Sequence, residues 1–203
     1  MRIYLIRHGE TRLNAERILQ TPETPLSDRG RDQAARLARH LEGHGIVRIL
    51  SSDLARAVET ARPLEATTGA ACEFEPLLQE RNFGDLRGVA YDDLETDPFA
   101  PGYEPPGGES EAAFHERVTK AWARCIEVAH GAGGALAVVT HGLVCRAVVS
   151  HHVKREPGAE AIDSPLRFRN TSFSVIEGPA PFRLTLLGCD DHLETSNNAR
   201  GPA

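Results

Sequence analysis

The chain has 203 residues, of which 40% are hydrophobic, a formal net charge of −6 and an isoelectric point near 5.8. The length and apolar content predict one domain with a sizeable core. The acidic balance argues against a nucleic-acid or anionic-membrane surface, without excluding a local basic pocket. The apolar runs are no longer than a strand, which predicts no membrane helix, and the first strand directly after Met1 predicts no signal peptide. The four cysteines are scattered, which predicts free thiols without disulfides. Together these features predict a cytoplasmic protein.

The first predicted element is a short apolar strand over residues 3–6, and Arg7, His8 and Gly9 follow it directly. Open α/β sheets bind their ligands in the crevice outside the carboxyl ends of their strands. There a guanidinium can bind a phosphate through two hydrogen bonds, and an imidazole can act as a nucleophile or carry a proton. Glycine allows a sharp turn and leaves room for a ligand. The placement of this motif predicts an anion site.

Strands and helices alternate along the rest of the chain. The pattern predicts a helix from Ser27 or Asp28, a strand at 46–50, a helix from about Asp53 with that residue as N-cap, an edge strand at 73–75, a loop-rich segment at 78–110, a helix at 110–130, a strand near 138, a helix at 144–149 and strands at 172–176 and 183–187. This alternation predicts an α/β fold, a three-layer α/β/α sandwich with a mostly parallel central sheet and a central first strand. We expect a single domain over residues 1–194 and a disordered tail over 195–203.

A second predicted strand is followed by a histidine and a glycine, as the first one is. Residues 135–140 form a continuous apolar run that His141 and Gly142 follow. Such a run without polar alternation is typical of a parallel sheet covered on both faces. Either histidine alone could be an ordinary residue of a turn. Their matching positions predict that the two His-Gly pairs lie side by side at one edge of the sheet.

Two further charged residues stand at strand or loop ends. Arg56 lies in the first turn of a predicted helix, where exposed N–H groups favour an anion and an unaccompanied cation is unfavourable. Its alternative interpretation is a solvated arginine that pairs with Asp53 or Glu59. Glu80 stands between apolar neighbours at the start of the long loop, where partial burial would suit it to proton donation. On its own, a glutamate in a loop is usually solvated.

Six motifs stand in a fixed order along nearly the whole chain. They are RHGET at 7–11 with Asn14 following, PLSDRG at 25–30, SSDLARAVETA at 51–61, LLQERNFGDLRG at 77–88, PPGGES at 105–110 and VVTHG at 138–142. In this order they resemble the histidine phosphatase superfamily, the phosphoglycerate mutase-like proteins. The resemblance implies that His8 is a nucleophile that becomes phosphorylated. It also implies that Arg7, Arg56 and His141 bind the phosphate and that Glu80 is the general acid.

The resemblance extends to the surroundings of the phosphate. It implies that Asn14 also reaches the phosphate, and the predicted phosphate-binding set includes Gly142 and Gln20. The chain departs from the family pattern in one place, where it is one residue shorter between Asn14 and Arg17. Gln20 also stands where the family commonly has a glycine, and Glu23 where it commonly has an aspartate. We therefore expect an altered loop after Asn14.

The segment after Glu80 distinguishes between two activities of the family. A mutase must hold a substrate with two negative groups and needs a second basic cluster opposite the nucleophile. Among residues 82–116 the only arginine or lysine is Arg87, and like charges facing a second anionic group would weaken binding. The carboxylates of this segment are Asp85, Asp92, Asp93, Glu95, Asp97, Glu104, Glu109, Glu111 and Glu116. The acidic segment therefore favours a phosphatase.

The sequence thus predicts a phosphatase that hydrolyses phosphate monoesters of a small metabolite through a phosphohistidine. Two arginines and a second histidine supply the positive charge that a metal provides elsewhere, so neither a metal nor another cofactor is implied. The alternatives are a cofactor-dependent phosphoglycerate mutase and a non-catalytic phosphate-binding protein. The second would have lost at least one of the five core residues, and all five are present. We expect a monomer or homodimer whose partner is a small phosphorylated metabolite, with no nucleic acid and no membrane.

Overall fold

The protein is described from a computed structural model that covers residues 1–155, 166 and 168–194. The predicted tail at 195–203 lies outside these residues. The described strands are β1 (Arg2–Arg7), β2 (Ile46–Ser51), β3 (Ala71–Phe74), β4 (Ala135–Thr140), β5 (Lys154–Arg155), β6 (Phe173–Glu177) and β7 (Arg183–Cys189). The described α-helices are α1 (Arg12–Ala15), α2 (Asp28–His40), α3 (Ala55–Thr68), α4 (Glu111–Gly131) and α5 (Gly142–His151).

The described strands form one sheet in the order β3-β2-β4-β1-β6-β7-β5. Four of its six neighbouring pairs are parallel, and the antiparallel pairs are β1–β6 and β6–β7. The predicted mostly parallel sheet is therefore confirmed, as is the central position of β1. This position puts the residue after β1 in the middle of the carboxyl edge of the sheet, beside the residue after β4.

Helices cover both faces of the sheet. Successive side chains of a strand point to opposite faces, so one strand contributes to the core on each side. One core lies between the sheet and helices α4 and α5, and it contains Ile3, Leu5, Val138, Phe114, Val118 and Val144. The other core lies between the sheet and helices α2 and α3, and it contains Tyr4, Ile6, Val139, Leu37, Ala57 and Leu64. The uninterrupted apolar runs at 3–6 and 135–140 thus serve two cores at once. The predicted three-layer α/β/α sandwich is confirmed.

Capping residues explain where the longer helices begin. The Ser27 hydroxyl accepts the N–H of Gly30 at 3.0 Å, and that of Ser110 accepts the N–H of Ala113 at 3.1 Å. The predicted N-cap at Asp53 is wrong, because α3 begins two residues later, with Leu54 in the cap position. The Asp53 carboxylate instead accepts a hydrogen bond from Gln79 Nε2 at 2.7 Å.

The predicted helices and strands are all present. The elements that were not predicted are short. In the described residues these are α1, β5 and four 3₁₀ helices: Pro76–Leu78, Gly84–Leu86, Tyr91–Asp93 and Asp191–Leu193. A segment of two to four residues is too short to show a hydrophobic period in the sequence. None of the described helices is long and apolar enough to cross a membrane.

Candidate active site

The two His-Gly pairs lie side by side at the carboxyl edge of the sheet. β1 and β4 run parallel with Arg7 opposite Thr140, and the ring centroids of His8 and His141, the next residues, are 5.1 Å apart. Both side chains are buried, at 2% and 0% exposure. The predicted adjacency of the two pairs is confirmed, and it follows from the register of these two strands.

The ring of His8 is held in one orientation by its own turn. Its Nδ1 lies 2.7 Å from the carbonyl oxygen of Gly9, which can only accept, so Nδ1 carries the proton and Nε2 keeps its lone pair. Within the described residues Nε2 has no hydrogen-bond partner. Burial, and then the charges of Arg56 and Arg7, lower the pKa of His8 well below its ordinary value. His8 is therefore a neutral imidazole with an available lone pair at neutral pH.

Gly9 is required by the close approach of α2. A Cβ at this position would lie 2.7 Å from the carbonyl oxygen of Gly30, closer than side-chain carbons approach in proteins. The N–H of Gly9 also donates to Thr60 Oγ1 of α3 at 2.9 Å. The turn that holds the His8 ring is thus fixed by two helices on the same side of the sheet.

His141 presents one satisfied and one unsatisfied ring nitrogen. Its Nε2 lies 2.9 Å from the hydroxyl of Ser52, whereas its buried Nδ1 has no hydrogen-bond partner in the part of the chain that the structure describes. Burial, followed by the charges of Arg56, His8 and Arg7, lowers the pKa of His141 well below its ordinary value. Since an unpaired buried polar atom costs free energy, a ligand that reached Nδ1 would remove that cost.

These two buried histidines should make folding stability depend on pH. A depressed folded-state pKa means that the unfolded chain binds the proton first, so stability falls as pH drops below the unfolded value of about 6.5. In the His141→Asn variant the free energy of unfolding should depend less steeply on pH, because one of the two histidines is missing. The difference in slope approaches about 1.4 kcal/mol per pH unit. Urea unfolding from pH 7.5 to 5.5 measures it, with His130→Asn at an exposed site of α4 as the control. An unchanged pH slope in His141→Asn would contradict the depressed pKa.

Arg7 and Arg56 bring two guanidinium groups to the same place. Arg56 is 3% exposed and donates through Nη1 to the carbonyl of Thr21 at 3.0 Å, and Arg7 donates through Nη1 to the carbonyl of Phe168. Among the described residues, the Nε atoms of both are buried without a hydrogen-bond partner. Burial lowers the pKa of Arg56 to about 10 and also lowers that of Arg7. A guanidinium group nevertheless keeps its charge in proteins at neutral pH. Arg56 is therefore not the solvated surface arginine of the alternative interpretation.

Glu80 lies beside these cations and is fixed through both carboxyl oxygens. Oε1 accepts the N–H of Arg81 at 3.0 Å, and Oε2 accepts the N–H of Leu143, in the first turn of α5, at 3.2 Å. The charge of Glu80 acts on both Arg7 and Arg56, where it opposes the lowering of their pKa by burial. The five predicted core residues therefore come together around one point at the sheet edge.

The structure places the three remaining predicted residues around this core. Asn14 Oδ1 accepts a hydrogen bond of 3.2 Å from Asn170, whose amide also donates to the His8 carbonyl at 3.1 Å. Gly142 begins α5 beside Arg7, whose Nε would lie 3.5 Å from a Cβ at that glycine. Gln20 contacts the N-cap residue of α1, because its Oε1 accepts the hydroxyl of Thr11 at 2.9 Å.

Two residues that support the histidines were not predicted from the sequence. Ser52 contacts His141, and its only signal in the sequence is a polar residue directly after a buried strand. Asn170 lies between Asn14 and His8, and a loop residue so distant in the chain gives no signal at all. Among the described residues, no three histidine, cysteine, aspartate or glutamate side chains lie close enough together to hold a metal ion.

The chain is similar to known proteins over most of its length. The family model of the histidine phosphatase superfamily (branch 1) matches residues 3–182. A probable phosphoglycerate mutase of Salmonella newport (strain SL254), GpmB, is 34% identical over 187 residues, which are 87% of this chain and 85% of the relative.

Two solved structures are similar over nearly their whole length. One is a putative alpha-ribazole-5'-P phosphatase from Escherichia coli K-12, with 28% identity, a TM-score of 0.80 and coverage of 94% of this chain and 97% of the other. The second is a mycobacterial glucosyl-3-phosphoglycerate phosphatase in complex with VO3. It has 26% identity, a TM-score of 0.78 and coverage of 93% and 99%.

Proposed function

The chain belongs to the histidine phosphatase superfamily, and we propose that it hydrolyses phosphate monoesters of a small metabolite through a phosphohistidine formed on His8. The observation that carries the proposal is the state of that imidazole. It is buried and neutral, its Nδ1 is held by the Gly9 carbonyl, and its Nε2 keeps a lone pair. Attack on phosphorus requires such a nitrogen. The phosphatase names of two similar solved structures support hydrolysis as the reaction.

In the first step, the Nε2 lone pair of His8 attacks phosphorus and the bond from phosphorus to the ester oxygen breaks. The leaving oxygen takes a proton from the carboxyl group of Glu80. Arg7, Arg56 and Nδ1 of His141 stabilise the charge on the transferring group, because they are charged or polar groups with unpaired nitrogens in a buried site. The products of this step are a free alcohol and phosphohistidine.

In the second step, water attacks the phosphorus of phosphohistidine while the Glu80 carboxylate takes its proton. The N–P bond breaks and its electron pair returns to Nε2 of His8, so inorganic phosphate leaves and both groups regain their starting state. The same carboxyl group thus serves as acid and then as base. No further reactant is needed.

The surroundings of the site favour hydrolysis over transfer between two positions of a substrate. Two arginines border the acidic segment at 82–116, and both are occupied. Arg81 donates to the carbonyls of Glu109 and Tyr103, and Arg117 binds the Glu109 carboxylate. Neither guanidinium is free to hold a second anionic group of a substrate. The segment then offers one arginine, Arg87, whose charge acts on Arg56, and lacks the second basic cluster that a mutase needs, which supports the phosphatase.

The probable phosphoglycerate mutase among the relatives keeps the mutase as a second candidate. The deciding experiment incubates the protein with 3-phosphoglycerate, with and without 2,3-bisphosphoglycerate, and with a panel of other phosphorylated metabolites. Our proposal expects release of inorganic phosphate from at least one panel member, without interconversion of 3- and 2-phosphoglycerate. Rapid interconversion would establish the mutase, and absence of both activities would leave only phosphate binding.

The electrostatics of the site predict that catalysis needs no metal and that vanadate inhibits strongly. EDTA should leave the rate unchanged, because the charges of Arg7 and Arg56 and a hydrogen bond from the uncharged His141 already stabilise the transferring group. Vanadate imitates a five-coordinate transition state and should inhibit at concentrations at least about a hundredfold lower than inorganic phosphate does. The complex of the mycobacterial phosphatase with VO3 supports this expectation.

Inhibition assays on two arginine variants of α3 test the assignment. Arg56→Ala should weaken inhibition by vanadate, whereas Arg62→Ala, at an exposed position of the same helix, should not. A requirement for added magnesium or zinc would show that the charges are assigned wrongly. Equal vanadate sensitivity of Arg56→Ala and the wild type would remove Arg56 from the phosphate site.

A further inference from the structure

Arg117 in the second turn of α4 uses every nitrogen of its guanidinium group. Nη1 donates to the carbonyls of Leu77 at 2.8 Å and Gln79 at 2.7 Å. Nη2 donates to the carbonyl of Glu80 at 3.3 Å and to Oε2 of Glu109 at 2.7 Å, and Nε donates to Oε1 of Glu109 at 2.9 Å. The side chains of Arg117 and Glu109 are 19% and 14% exposed, so this is a partly buried ion pair with two parallel hydrogen bonds.

The carbonyls that Arg117 binds belong to the segment that carries Glu80. Three of the four carbonyls of residues 77–80 accept from Arg117, and the fourth, that of Leu78, accepts the hydroxyl of Thr140 at 2.7 Å. Thr140 is the last residue of β4 and directly precedes His141. The segment is therefore fixed between α4 on one side and the strand that leads to His141 on the other.

Glu109 completes this arrangement from the other end of the loop. Besides Arg117, its carboxylate accepts the N–H of Asn82 at 3.3 Å. Its own N–H donates to the Asn82 carbonyl at 2.8 Å, and its carbonyl accepts Nε of Arg81 at 3.1 Å. Glu109 thus holds the residues just after Glu80, as Arg117 holds those just before it. Both its carboxyl oxygens bind the guanidinium group of Arg117, so the structure gives Glu109 the role of an anchor for the loop.

We infer that Arg117, with Glu109 as its counter-ion, is a positioning residue that holds the carboxyl group of Glu80 at the leaving oxygen of the substrate. The inference rests on the proposed function, since it assumes that Glu80 is the acid. A displacement of about 1 Å in a reacting group can lower a rate about a hundredfold. Lysine keeps the charge of Arg117 but offers a single nitrogen, which cannot reach three carbonyls and both carboxyl oxygens together.

The test compares two phosphate esters that differ in their need for an acid. Glycerol 2-phosphate has an alcohol leaving group that must be protonated, whereas p-nitrophenyl phosphate releases a stable anion. We expect Arg117→Lys to lower kcat/KM on glycerol 2-phosphate by about tenfold or more. It should lower kcat/KM on p-nitrophenyl phosphate by much less. The control is Arg124→Lys, two turns further along α4, where the arginine binds the carboxylates of Glu73, Glu75 and Glu127 and none of the carbonyls of residues 77–80. It should leave the ratio of the two esters unchanged.

A double variant separates this inference from the proposed function. In the Glu80→Gln background, Arg117→Lys should cause no further loss on glycerol 2-phosphate, because the group that it positions can no longer donate a proton. If Glu80→Gln alone loses equally on both esters, the acid assignment and this inference fall together. If Glu80→Gln is selective and Arg117→Lys is not, only the inference is overturned.

Glu109→Gln keeps the result decisive if Arg117→Lys does not fold. The amide preserves the size of the side chain and removes the charge that anchors Arg117. We expect the same selective loss on glycerol 2-phosphate, at a smaller magnitude, with a folded protein by circular dichroism. A folded Glu109→Gln variant that loses equally on both esters would overturn the inference.

Discussion

Replacing His8 with alanine should abolish turnover of every phosphate ester that the wild type hydrolyses. The imidazole is the only protein group proposed to form a bond to phosphorus, and its neutral form is secured by burial and by the charges of Arg56 and Arg7. Without it, water would have to attack the ester directly from the side of His8, while Glu80 serves the leaving oxygen as the acid and cannot act as the base for that attack. The measurement is release of inorganic phosphate, compared with His44→Ala at an exposed position, which should keep full activity.

The phosphohistidine itself should be detectable in the wild type. Brief reaction with a phosphorus-labelled substrate, followed by quenching and denaturation, should trap a phosphoryl adduct that is labile in acid and stable in base. The adduct should be absent from His8→Ala. Retention of more than a trace of activity in this variant would overturn the assignment of the nucleophile.

Binding of phosphate distinguishes a lost nucleophile from a lost fold. Arg7, Arg56 and His141 remain in His8→Ala, so inorganic phosphate should still raise the unfolding temperature of the variant. A variant that unfolds at the same temperature with and without phosphate, while the wild type is stabilised, would place His8 among the binding groups instead.

The sheet and the paired histidines could be predicted from the sequence because both depend on local signals. The runs at 3–6 and 135–140 are apolar on both faces, which only a doubly covered strand requires. Parallel strands end at the same edge, so the residues after them meet without any further information. The order of motifs supplied the family, which the match over residues 3–182 confirms.

The supporting contacts could not be predicted because they join residues far apart in the chain. Arg117 reads in the sequence as one more charged residue of a long helix, yet it binds carbonyls about forty positions earlier. Asp53 stands where an N-cap is expected, but its carboxylate accepts a hydrogen bond from Gln79 in the structure. In both cases a tertiary contact decides the role of a polar side chain, and a local pattern carries no record of it.

Replacing Glu80 with glutamine should cost most on substrates with poor leaving groups. An alkyl alcohol cannot leave as an alkoxide, whereas p-nitrophenolate leaves readily without a proton. General acid catalysis contributes on the order of a hundredfold or more, so Glu80→Gln should lose roughly that factor on glycerol 2-phosphate. The loss on p-nitrophenyl phosphate should be clearly smaller. Glutamine keeps the size of the side chain and removes the proton, and its single amide oxygen can still accept one of the two N–H groups, that of Arg81 or that of Leu143.

This comparison is valid only if formation of phosphohistidine limits both reactions, because the same carboxylate serves as base in the second step. Rapid-quench kinetics should establish which step is slow for each ester, and accumulation of phosphohistidine in Glu80→Gln would reveal a slowed second step. Glu95→Gln, an exposed carboxylate in the same loop, should lose nothing on either ester. Equal losses for Glu80→Gln on both esters, with the first step limiting, would reduce Glu80 to a binding residue.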